Sequence, residues 1–511
     1  MKLPAASAVV ALCLALCVPT AAVGSHRVTL ISDIHLDPLY GTERGFKCTQ
    51  SSSPMWGMPG CDSSPQLTAR SLEDVSAQNT SLLLYSGDWQ RHHYIDSGLE
   101  PAAVFESLSE LFRHVQVDGS LGMAAFSAAL GNNDVVPDYY FSLKNEESVK
   151  ELGARVEAMR RAGLLSDAEA AVMSKYGYYT HEMHSVHVIV LHTLLWAYAL
   201  EPSLPPDVRD PYNQFAFLQN ELEKVRSANK RAIIVGHIPP GLNTYFVLSR
   251  GFKSAAEDMF WKELYEATYD SIIYEYRDVV ALQLFGHTHR FKLLTMPRNG
   301  VLSIIAPSIS PIFSNDPSYL LASFDDAWTL EDVLIRYTTN DGIYHSGLSA
   351  KAALGLTSGL QSATNVRAAI ALLATDDAMW ERFLTMFCGG EKRLQVFPNA
   401  KCDKQCRYVV VCSMLENNHS DIQRCVSDYN VLPGPSQRNR TPLLIIAIIV
   451  LLSLVVIAAD VMLLLMSRSG QMTLSWSNVK CADWWKSLLR KSQGSVVTAE
   501  NNELEEAPNQ R

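Results

Sequence analysis

Short apolar segments that end in polar residues recur along the first part of the chain, and helical patterns separate them. Five of these segments are followed within a few residues by side chains that can bind a metal ion. The segments cover residues 28–31, 82–85, 124–130, 232–235 and 279–285, and the side chains that follow them are Asp33, His35, Asp88, Asn132, His237, His287 and His289. In open α/β sheets, ligands bind at the carboxyl ends of the strands. The alternation therefore predicts an α/β fold whose strand ends meet at one polar site.

Helical patterns fill much of the rest of the chain up to residue 345. They are clearest over residues 140–185 and 205–275, which we expect to flank the sheet. The composition then changes to Ala-, Leu- and Ser-rich sequence followed by clustered cysteines. This change predicts a catalytic domain over residues 25–345 and a small helical, cysteine-rich subdomain over residues 346–432.

Both ends of the chain carry apolar segments that point to a membrane. A lysine, an apolar stretch and small residues predict a secretory signal peptide over residues 1–24, with an uncleaved anchor as the alternative. After a linker, residues 433–442, the apolar residues 443–466 are long enough to cross a hydrocarbon core of about 30 Å. Basic residues outnumber acidic ones just beyond this span, which places the tail, residues 467–511, in the cytosol. The sequence thus predicts a single-pass type I protein with a lumenal or extracellular catalytic domain.

Cysteine usage agrees with an oxidising compartment, where most thiols pair. By proximity along the chain we predict the disulfides Cys48–Cys61, Cys402–Cys406 and Cys412–Cys425. Cys388 is then left without a partner. A zinc site in the C-terminal cluster is the alternative, although its spacings contain no C-x-x-C pair. Asn79 and Asn418 stand in N-x-S/T sequons and are candidate glycosylation sites.

The overall charge argues against nucleic acid as the partner. The 511 residues include 43 Lys and Arg against 53 Asp and Glu, which gives a net charge of −10. Hydrophobic residues make up 48% of the chain, so a large core can form. An anionic substrate would need a local cationic centre, and bound metal ions would supply one.

The polar residues that follow the strands form a mixed set of carboxylate, amide and imidazole ligands. Taken singly, an Asp or His after a strand is more often a turn former, so only the set indicates metal binding. Such nitrogen and oxygen ligands suit zinc, manganese or iron. Two divalent ions about 3.5–4 Å apart would convert a bridging water into a hydroxide nucleophile and hold the oxygens of a phosphoryl group. The set therefore predicts hydrolysis at phosphorus by direct attack of that hydroxide.

The order of the motifs resembles that of the calcineurin-like metallophosphoesterases: D-x-H, G-D, G-N-N-D, G-H and G-H-T-H, between about residues 26 and 310. The resemblance implies a four-layer arrangement of two β-sheets packed between helices. It also implies two divalent metal ions, with zinc favoured and manganese, iron, cobalt or magnesium as alternatives. One ion would be bound by Asp33, His35, Asp88 and His289, and the other by Asp88, Asn132, His237 and His287.

Further motifs narrow the resemblance. The sequences G-H-I-P-P-G at residues 236–241 and A-P-S at residues 306–308, together with the cysteine-rich C-terminus, are similar to the acid sphingomyelinase-like phosphodiesterases. Within that group, G-D-W-Q-R-H at residues 87–92 and G-N-N-D at residues 131–134 are most similar to the endopolyphosphatase branch. Most relatives carry histidine where this chain has Asn133, and that histidine is held to assist the leaving group.

Asn133 changes the assignment of the proton donor. An amide cannot act as a general acid, so His92 becomes the candidate acid, beside Asp88 at the reacting centre. Arg91 is the candidate to hold a phosphate oxygen bidentately. Arg91, His92 and Asn133 are therefore the predicted substrate contacts, with a solvated loop in which Arg91 is merely exposed as the alternative.

The leading hypothesis is a membrane-anchored lumenal enzyme that hydrolyses phosphoanhydride bonds, with polyphosphate as substrate, in a compartment like an acidic vacuole or lysosome. The loss of histidine at Asn133 favours anhydrides, because their leaving phosphate departs easily. One alternative is a phosphodiesterase that acts on a phospholipid head group or a nucleotide. Another is a catalytically silent receptor that binds metal, although every expected ligand position is retained.

Overall fold

The computed structural model describes residues 26–118, 125–339, 341–391 and 402–431. Within them, helices surround two six-stranded β-sheets. The strands are β1 (His26–Ile31), β2 (Leu82–Tyr85), β3 (Phe126–Ala128), β4 (Tyr179–Glu182), β5 (Val186–Val190), β6 (Arg231–Val235), β7 (Val280–Phe285), β8 (Lys292–Leu294), β9 (Ser303–Ile305), β10 (Ser318–Phe324), β11 (Leu330–Thr338) and β12 (Tyr344–Ser349). The α-helices are α1 (Pro65–Ser76), α2 (Ala103–Arg113), α3 (Glu146–Arg161), α4 (Asp167–Tyr176), α5 (Gln214–Ser227), α6 (Thr244–Arg250), α7 (Ala255–Asp258), α8 (Glu263–Glu275), α9 (Ala350–Leu354), α10 (Ala363–Leu372), α11 (Asp377–Phe387), α12 (Lys404–Leu415) and α13 (His419–Val431).

The first sheet has the order β12-β11-β10-β1-β2-β3. Strands β1, β2 and β3 run parallel, whereas β10, β11 and β12 are antiparallel to their neighbours. Val28 lies opposite Leu82, and Leu83 lies opposite Phe126. Because parallel strands end at the same edge of a sheet, the loops after β1, β2 and β3 lie side by side.

The second sheet has the order β4-β5-β6-β7-β9-β8. Strands β5, β6, β7 and β9 are parallel, and β4 and β8 pair antiparallel at the two edges. The loops after β6 and β7 therefore also leave from one edge, and these are the loops that carry three of the predicted histidine ligands.

The central strands form where the sequence has continuous apolar runs. Strands β2 and β5 are buried at every position, and β6 is buried at all but its first residue. Such runs are typical of parallel strands that are covered on both faces. The predicted fold of two sheets with flanking helices is thereby confirmed.

Helices α3 and α4 form within the predicted helical region of residues 140–185. Asn145 caps α3 by accepting the backbone N–H of Ser148 at 2.9 Å, and Ser166 and Glu169 form a reciprocal capping box at α4. Caps of this kind satisfy amides that have no partner inside the helix. The helical prediction is wrong for β4, because this segment pairs antiparallel with β5.

Helices α9 to α13 pack on the sheets after β12. Their buried residues, such as Phe383 and Val410, belong to the same hydrophobic core as the strands. The three predicted disulfides are present: Cys48–Cys61, Cys402–Cys406 and Cys412–Cys425. Since these bonds use four cysteines of the C-terminal cluster, the alternative of a zinc site there is wrong. Cys388 is buried with a free thiol, as predicted.

The two sequon asparagines differ in their surroundings. Asn79 is exposed in a turn, whereas Asn418 is partly buried and its side-chain oxygen accepts the backbone N–H of Asp421 at 2.9 Å. Glycosylation at both positions stays a prediction.

Among the described residues, no helix combines the length and the apolar character that a membrane span requires. The predicted signal peptide (1–24), linker (433–442), span (443–466) and cytosolic tail (467–511) lie outside the described ranges. These assignments stay predictions, as does the domain division between residues 345 and 346.

Candidate active site

The seven predicted ligands lie together at the carboxyl ends of the strands. Five of them have a left-handed backbone with φ between 46° and 69°: Asp33, His35, Asp88, His287 and His289. Asp33 and His35 are separated by one residue, and the chain turns at these two ligands themselves. Asp, Asn and His tolerate this conformation better than most residues, and backbone strain of this kind clusters at functional sites.

Asp33, His35 and His289 form one part of the site. The Nε2 atom of His289 lies 3.3 Å from Asp33 Oδ1 and 3.2 Å from His35 Nε2. Both carboxylate oxygens of Asp33 accept the backbone N–H of His287 at 3.1 Å. The end of β1 is therefore tied directly to the loop after β7.

Asp88 lies between this group and the remaining ligands. Its Oδ2 atom is 3.3 Å from His35 Nε2 and 3.1 Å from His237 Nε2. His237 Nε2 is also 3.1 Å from Asn132 Oδ1. Asp88, His237 and His287 can place ligand atoms within 4.8 Å of one another. The structure thus brings both predicted ligand sets together, with Asp88 shared between them.

Backbone carbonyls orient two of the imidazoles. His35 donates from Nδ1 to the carbonyl of Gln90 at 3.0 Å, and His237 donates from Nδ1 to the carbonyl of Ser86 at 2.8 Å. A carbonyl only accepts, so Nδ1 carries a proton and Nε2 is the ring atom that faces the other ligands. The Nδ1 atom of His289 is buried, and within the described residues it has no hydrogen-bond partner.

The carboxylates of the site are held as anions. Burial alone raises the pKa of Asp33, but His289 and His35 outweigh it and lower the pKa to about 2. Burial likewise opposes ionisation of Asp88, yet His237 and His35 hold its pKa well below the usual range. These buried negative charges favour positive charge beside them.

The four histidines divide into two pairs. Burial lowers the pKa of His35 and His237, but Asp88 outweighs burial and raises the values to about 10 and about 9. Burial dominates at His287 and His289 and lowers the pKa of each to about 3. In the metal-free protein, two imidazolium groups therefore supply the positive charge that the carboxylates require.

The donor set fits divalent cations. Three groups of at least three ligand residues can place their donor atoms within 4.8 Å: Asp33, His35 and Asp88; Asp88, His237 and His287; and His35, His92 and His289. Neutral imidazole and carboxylate donors suit zinc and other divalent transition metals. The first two groups share Asp88, which is the arrangement that two neighbouring ions require.

Two residues of the G-N-N-D motif, in the loop after β3, bind the loop after β2. The buried carboxylate of Asp134 accepts the backbone N–H groups of Gly131, Asp88, Trp89 and Gln90 at 2.7–3.2 Å. Asn133 donates its backbone N–H and its side-chain amide to Asp88 at 2.9 and 2.8 Å. Sequence reasoning missed the role of Asp134, although the motif contains it.

His92 stands beside the ligands and is held by a residue that the sequence did not single out. Its ring stacks on His35 with a centroid distance of 4.1 Å. Its Nδ1 atom lies 3.0 Å from Oδ1 of the buried Asp62, which also accepts the His92 backbone N–H at 2.9 Å. Burial opposes the charge on Asp62, but His92 outweighs it and lowers the pKa to about 2. The signal for Asp62 was weak: it is a lone acid after Cys61.

Arg91 lies apart from the other predicted contacts. Its guanidinium is buried, where it bonds Asp37 at 3.3 Å and the carbonyl of Arg44 at 2.8 Å. It is therefore neither exposed, as the alternative held, nor among the residues that line the cavity. His93, the next residue but one, is exposed and does line it.

A cavity of about 470 Å³ opens over the ligands. Asp88, Asn132, His287 and His289 form its polar base, and His92 and Asn133 also line it. Six aromatic residues contribute to its walls: Tyr139, Tyr245, Phe246, Phe260, Phe313 and Phe387. The ring of Phe313 lies edge-on to His289 at 4.7 Å, and that of Phe260 to His287 at 4.9 Å. The aromatic walls thus begin directly at the ligands.

The comparisons with known proteins agree with this geometry. Residues 26–291, more than half of the chain, match the family model of the calcineurin-like phosphoesterases. The chain belongs to the calcineurin-like phosphoesterase family. It is accordingly a metal-dependent phosphoester hydrolase with the donor groups for two divalent ions, and both the fold and the family that the motifs indicated are confirmed.

Curated relatives carry names of the acid sphingomyelinase-like group, as the finer motifs predicted. The chain is 25% identical to acid sphingomyelinase-like phosphodiesterase 3b from Homo sapiens, over 82% of this chain and 93% of that protein. It is 26% identical to cyclic GMP-AMP phosphodiesterase SMPDL3A from Bos taurus, over 60% and 69%. It is 24% identical to sphingomyelinase phosphodiesterase D from Dictyostelium discoideum, and spans 63% of that protein's length. The likeness to endopolyphosphatases stays a prediction.

Proposed function

We propose that this calcineurin-like phosphoesterase hydrolyses a phosphodiester that carries an aromatic or other apolar group. The aromatic wall of the cavity is the observation that carries this proposal. Six aromatic side chains surround a polar base formed by three ligand-bearing loops, which suits a substrate with one phosphoryl centre and a large uncharged part. The three relatives described above are all named as phosphodiesterases, which supports the same substrate class.

A polyanionic substrate finds little positive charge along the same walls. Among the lining residues that the structure describes, Arg290 is the single arginine or lysine. Its guanidinium also packs against the Phe387 ring, 5.9 Å from the centroid, and donates to the carbonyl of Phe313. A polymer with a negative charge on every unit is favoured by a cationic groove. For this reason we place polyphosphate second.

Each part of the donor set has a role in this proposal. Asp33, His35, Asp88 and His289 would hold one divalent ion, and Asp88, Asn132, His237 and His287 the other, with zinc as the preferred metal. Two such ions, when bound, draw electron density from the phosphoryl group and make water a stronger nucleophile. The protein's own contribution is to fix the ligand atoms in advance and to orient the imidazoles through the carbonyls of Gln90 and Ser86.

His92 is the proposed proton donor to the leaving oxygen. The contact of its Nδ1 atom with Asp62 leaves Nε2 available on the cavity side. Asn133 cannot take this role, because an amide has no proton to give at ordinary pH. Its side chain instead donates to Asp88, which holds the shared carboxylate in place.

The same absence of histidine at Asn133 favours the second candidate, an anhydride substrate such as polyphosphate. A phosphate leaving group needs less help from an acid than an alkoxide does. The two candidates therefore differ in how strongly the rate depends on His92.

We also propose that the enzyme works in the lumen of the secretory pathway, as a type I membrane protein in an acidic, lysosome-like compartment. The three disulfides support the oxidising compartment. Anchoring rests on the apolar residues 443–466 alone.

The test compares initial rates of the full-length protein on bis(4-nitrophenyl) phosphate and on long-chain polyphosphate. Asp88→Ala serves as the blank, and Asp96→Ala, at an exposed turn, as the matched control. Diester hydrolysis that vanishes only in Asp88→Ala, with little release of phosphate from polyphosphate, supports the proposal. The reverse preference would show that a phosphoanhydride such as polyphosphate is the substrate. If the purified protein binds stoichiometric metal but shows neither activity, the catalytically silent receptor becomes the favoured interpretation.

A further inference from the structure

Helix α6 and the segment that ends α7 form one wall of the cavity. Asn243, Thr244, Tyr245 and Phe246 line it from the start of α6, and Phe260 lines it just after α7. The two stretches are joined through their backbones, because the Asn243 N–H donates to the carbonyl of Asp258 at 2.7 Å. Any displacement of Asp258 therefore moves both stretches of the wall.

The carboxylate of Asp258 is fully buried and anchors this segment. Its Oδ2 atom accepts the backbone N–H of Lys253 at 2.6 Å, and its Oδ1 atom lies 3.5 Å from Arg250 Nη2. The remaining partner comes from the other end of the chain: His419 donates from Nε2 to Asp258 Oδ2 at 2.9 Å. If a buried carboxylate loses such a partner, its desolvation is no longer compensated and the local structure is destabilised.

His419 is the first residue of α13, and α12 and α13 form a hairpin that the Cys412–Cys425 disulfide closes. This hairpin packs against the wall through a separate apolar cluster. Leu242, Val247 and Met259 of the wall meet residues of the hairpin there: Val409, Cys412, Ile422 and Val426. The hairpin therefore supports the wall and lies behind the residues that face the cavity.

The path from His419 to the metal ligands is short. Asp258 is two residues from Phe260, whose N–H donates to the carbonyl of Gly241 at 2.9 Å. The Phe260 ring then contacts His287 with a centroid distance of 4.9 Å. A single hydrogen bond at the C-terminal hairpin thus bears on the position of an aromatic ring beside the metal centre.

We propose that His419 is a positioning residue for the substrate cavity: through Asp258 it holds the wall formed by α6 and Phe260 in the geometry that binds the substrate. It touches neither substrate nor metal ligands. Its contribution is to substrate binding, so its loss raises KM and leaves kcat and metal content nearly unchanged. The KM readout rests on the proposed phosphodiesterase activity.

The test uses the full-length protein and measures amide hydrogen exchange over residues 243–260 together with KM for bis(4-nitrophenyl) phosphate. The variants are His419→Ala and His419→Gln, both of which keep the sequon at Asn418. Glutamine can still donate to Asp258 but carries no charge. His114→Ala is the matched control, because His114 makes an imidazole–carboxylate pair with Glu110 at 3.1 Å on an exposed face of the protein.

We expect faster exchange over residues 243–260 in His419→Ala alone, with a KM about five- to tenfold higher, as the loss of one buried hydrogen bond implies. His419→Gln should restore most of both values. Unchanged exchange in His419→Ala would overturn the proposal, and so would equal effects from His114→Ala. Amide hydrogen exchange is measured without substrate, so this test remains valid even if the proposed phosphodiesterase activity is absent.

If His419→Ala does not fold, His419→Phe takes its place, because its ring fills a similar volume but cannot donate a hydrogen bond to Asp258. Faster exchange over residues 243–260 in this variant supports the proposal, and unchanged exchange would overturn it.

Discussion

The base and the wall of the cavity are built in different ways. The base consists of short loops that leave the ends of buried strands, and its ligands are held by backbone groups such as the His287 N–H and the carbonyls of Gln90 and Ser86. Most of the wall consists of partly exposed aromatic side chains on α6 and on loops, with Tyr245 at 43% and Phe246 at 45% exposure, whereas Phe387 at the end of α11 is buried. The base is fixed by the fold, whereas the wall depends on packing from distant segments.

Because of this difference, the base determines the reaction and the wall determines the substrate preference. The ligand set decides that the enzyme acts at phosphorus, and it leaves little freedom because all of its members except the partly exposed His287 are buried. The wall decides which group accompanies the phosphorus, and its exposed rings can change without disturbing the sheets. Variants of the base should therefore abolish activity, and variants of the wall should change substrate preference.

The largest effect is expected at the shared carboxylate. Asp88→Ala removes a ligand from both sets and leaves His35 and His237 without their anion. We expect kcat/KM to fall by about a thousandfold or more, the scale on which loss of preorganised charge stabilisation is felt. Steady-state kinetics and metal analysis of the purified protein check this. A variant that keeps both ions and substantial activity would contradict the sharing of Asp88.

The next effect concerns the junction of base and wall, where His92 lies. His92→Gln should lower kcat for a diester with a poor leaving group by about a hundredfold, as the loss of general-acid catalysis implies. Asp62→Asn should lower it less, because the acid remains but is held poorly. His93→Gln is the control, since His93 lines the same cavity without contacting Asp62. An equal loss with a nitrophenolate leaving group would argue against proton donation, because that group leaves without help.

The wall itself should give smaller changes. Tyr245→Ala and Phe313→Ala should each raise KM for an aromatic diester by about three- to tenfold, the range expected for one aromatic contact. The value of kcat should change little, because neither ring contacts a reacting atom. Kinetics with a matched pair of substrates, one aromatic and one with a methyl ester, would show whether the effect is specific to the ring. Equal changes for both substrates would contradict a role in selectivity.

The smallest expected effect is on the stability of the folded protein, and it comes from the charge on His237 in the base. In the chelated protein, the pKa of His237 is raised to about 9, so its charge stabilises the folded state fully below its ordinary value of 6.5. This stabilisation is lost as the pH rises through about 9. The difference in unfolding midpoint between wild-type and His237→Asn proteins should therefore shrink from pH 6.5 to 10, by a few degrees. A difference that stays constant would contradict the charge on His237.

The sequence predicted the base far better than the wall. Each ligand follows a strand that the apolar runs reveal, so strand ends and ligands could be located together. The resemblance then assigned the ligands to two ions, and this assignment stays a prediction. The left-handed conformation of the ligands could not be predicted, because it cannot be recognised from residue order alone.

The wall could not be predicted because its parts are far apart in the chain. Phe313, Tyr245 and Phe387 meet only through tertiary packing, and no periodicity marks them. Asp62 was missed for the same reason, since it lies 30 residues before His92 in the chain and contacts it only in the folded protein. Arg91 was assigned to the substrate from its neighbours in sequence, yet Asp37 and the carbonyl of Arg44 draw its side chain into the interior.

The left-handed conformation of five ligands places two requirements on each position, one for the backbone conformation and one for metal binding, which mutagenesis usually does not distinguish. At Asp33, His35, Asp88, His287 and His289, a replacement must satisfy the backbone before it can satisfy a metal. Asparagine and glycine accept such angles, whereas valine and isoleucine do not. A saturation library scored separately for folded protein and for turnover would therefore divide at these positions. Asparagine or glycine would yield folded but inactive protein, while β-branched residues would prevent folding before any ion could bind.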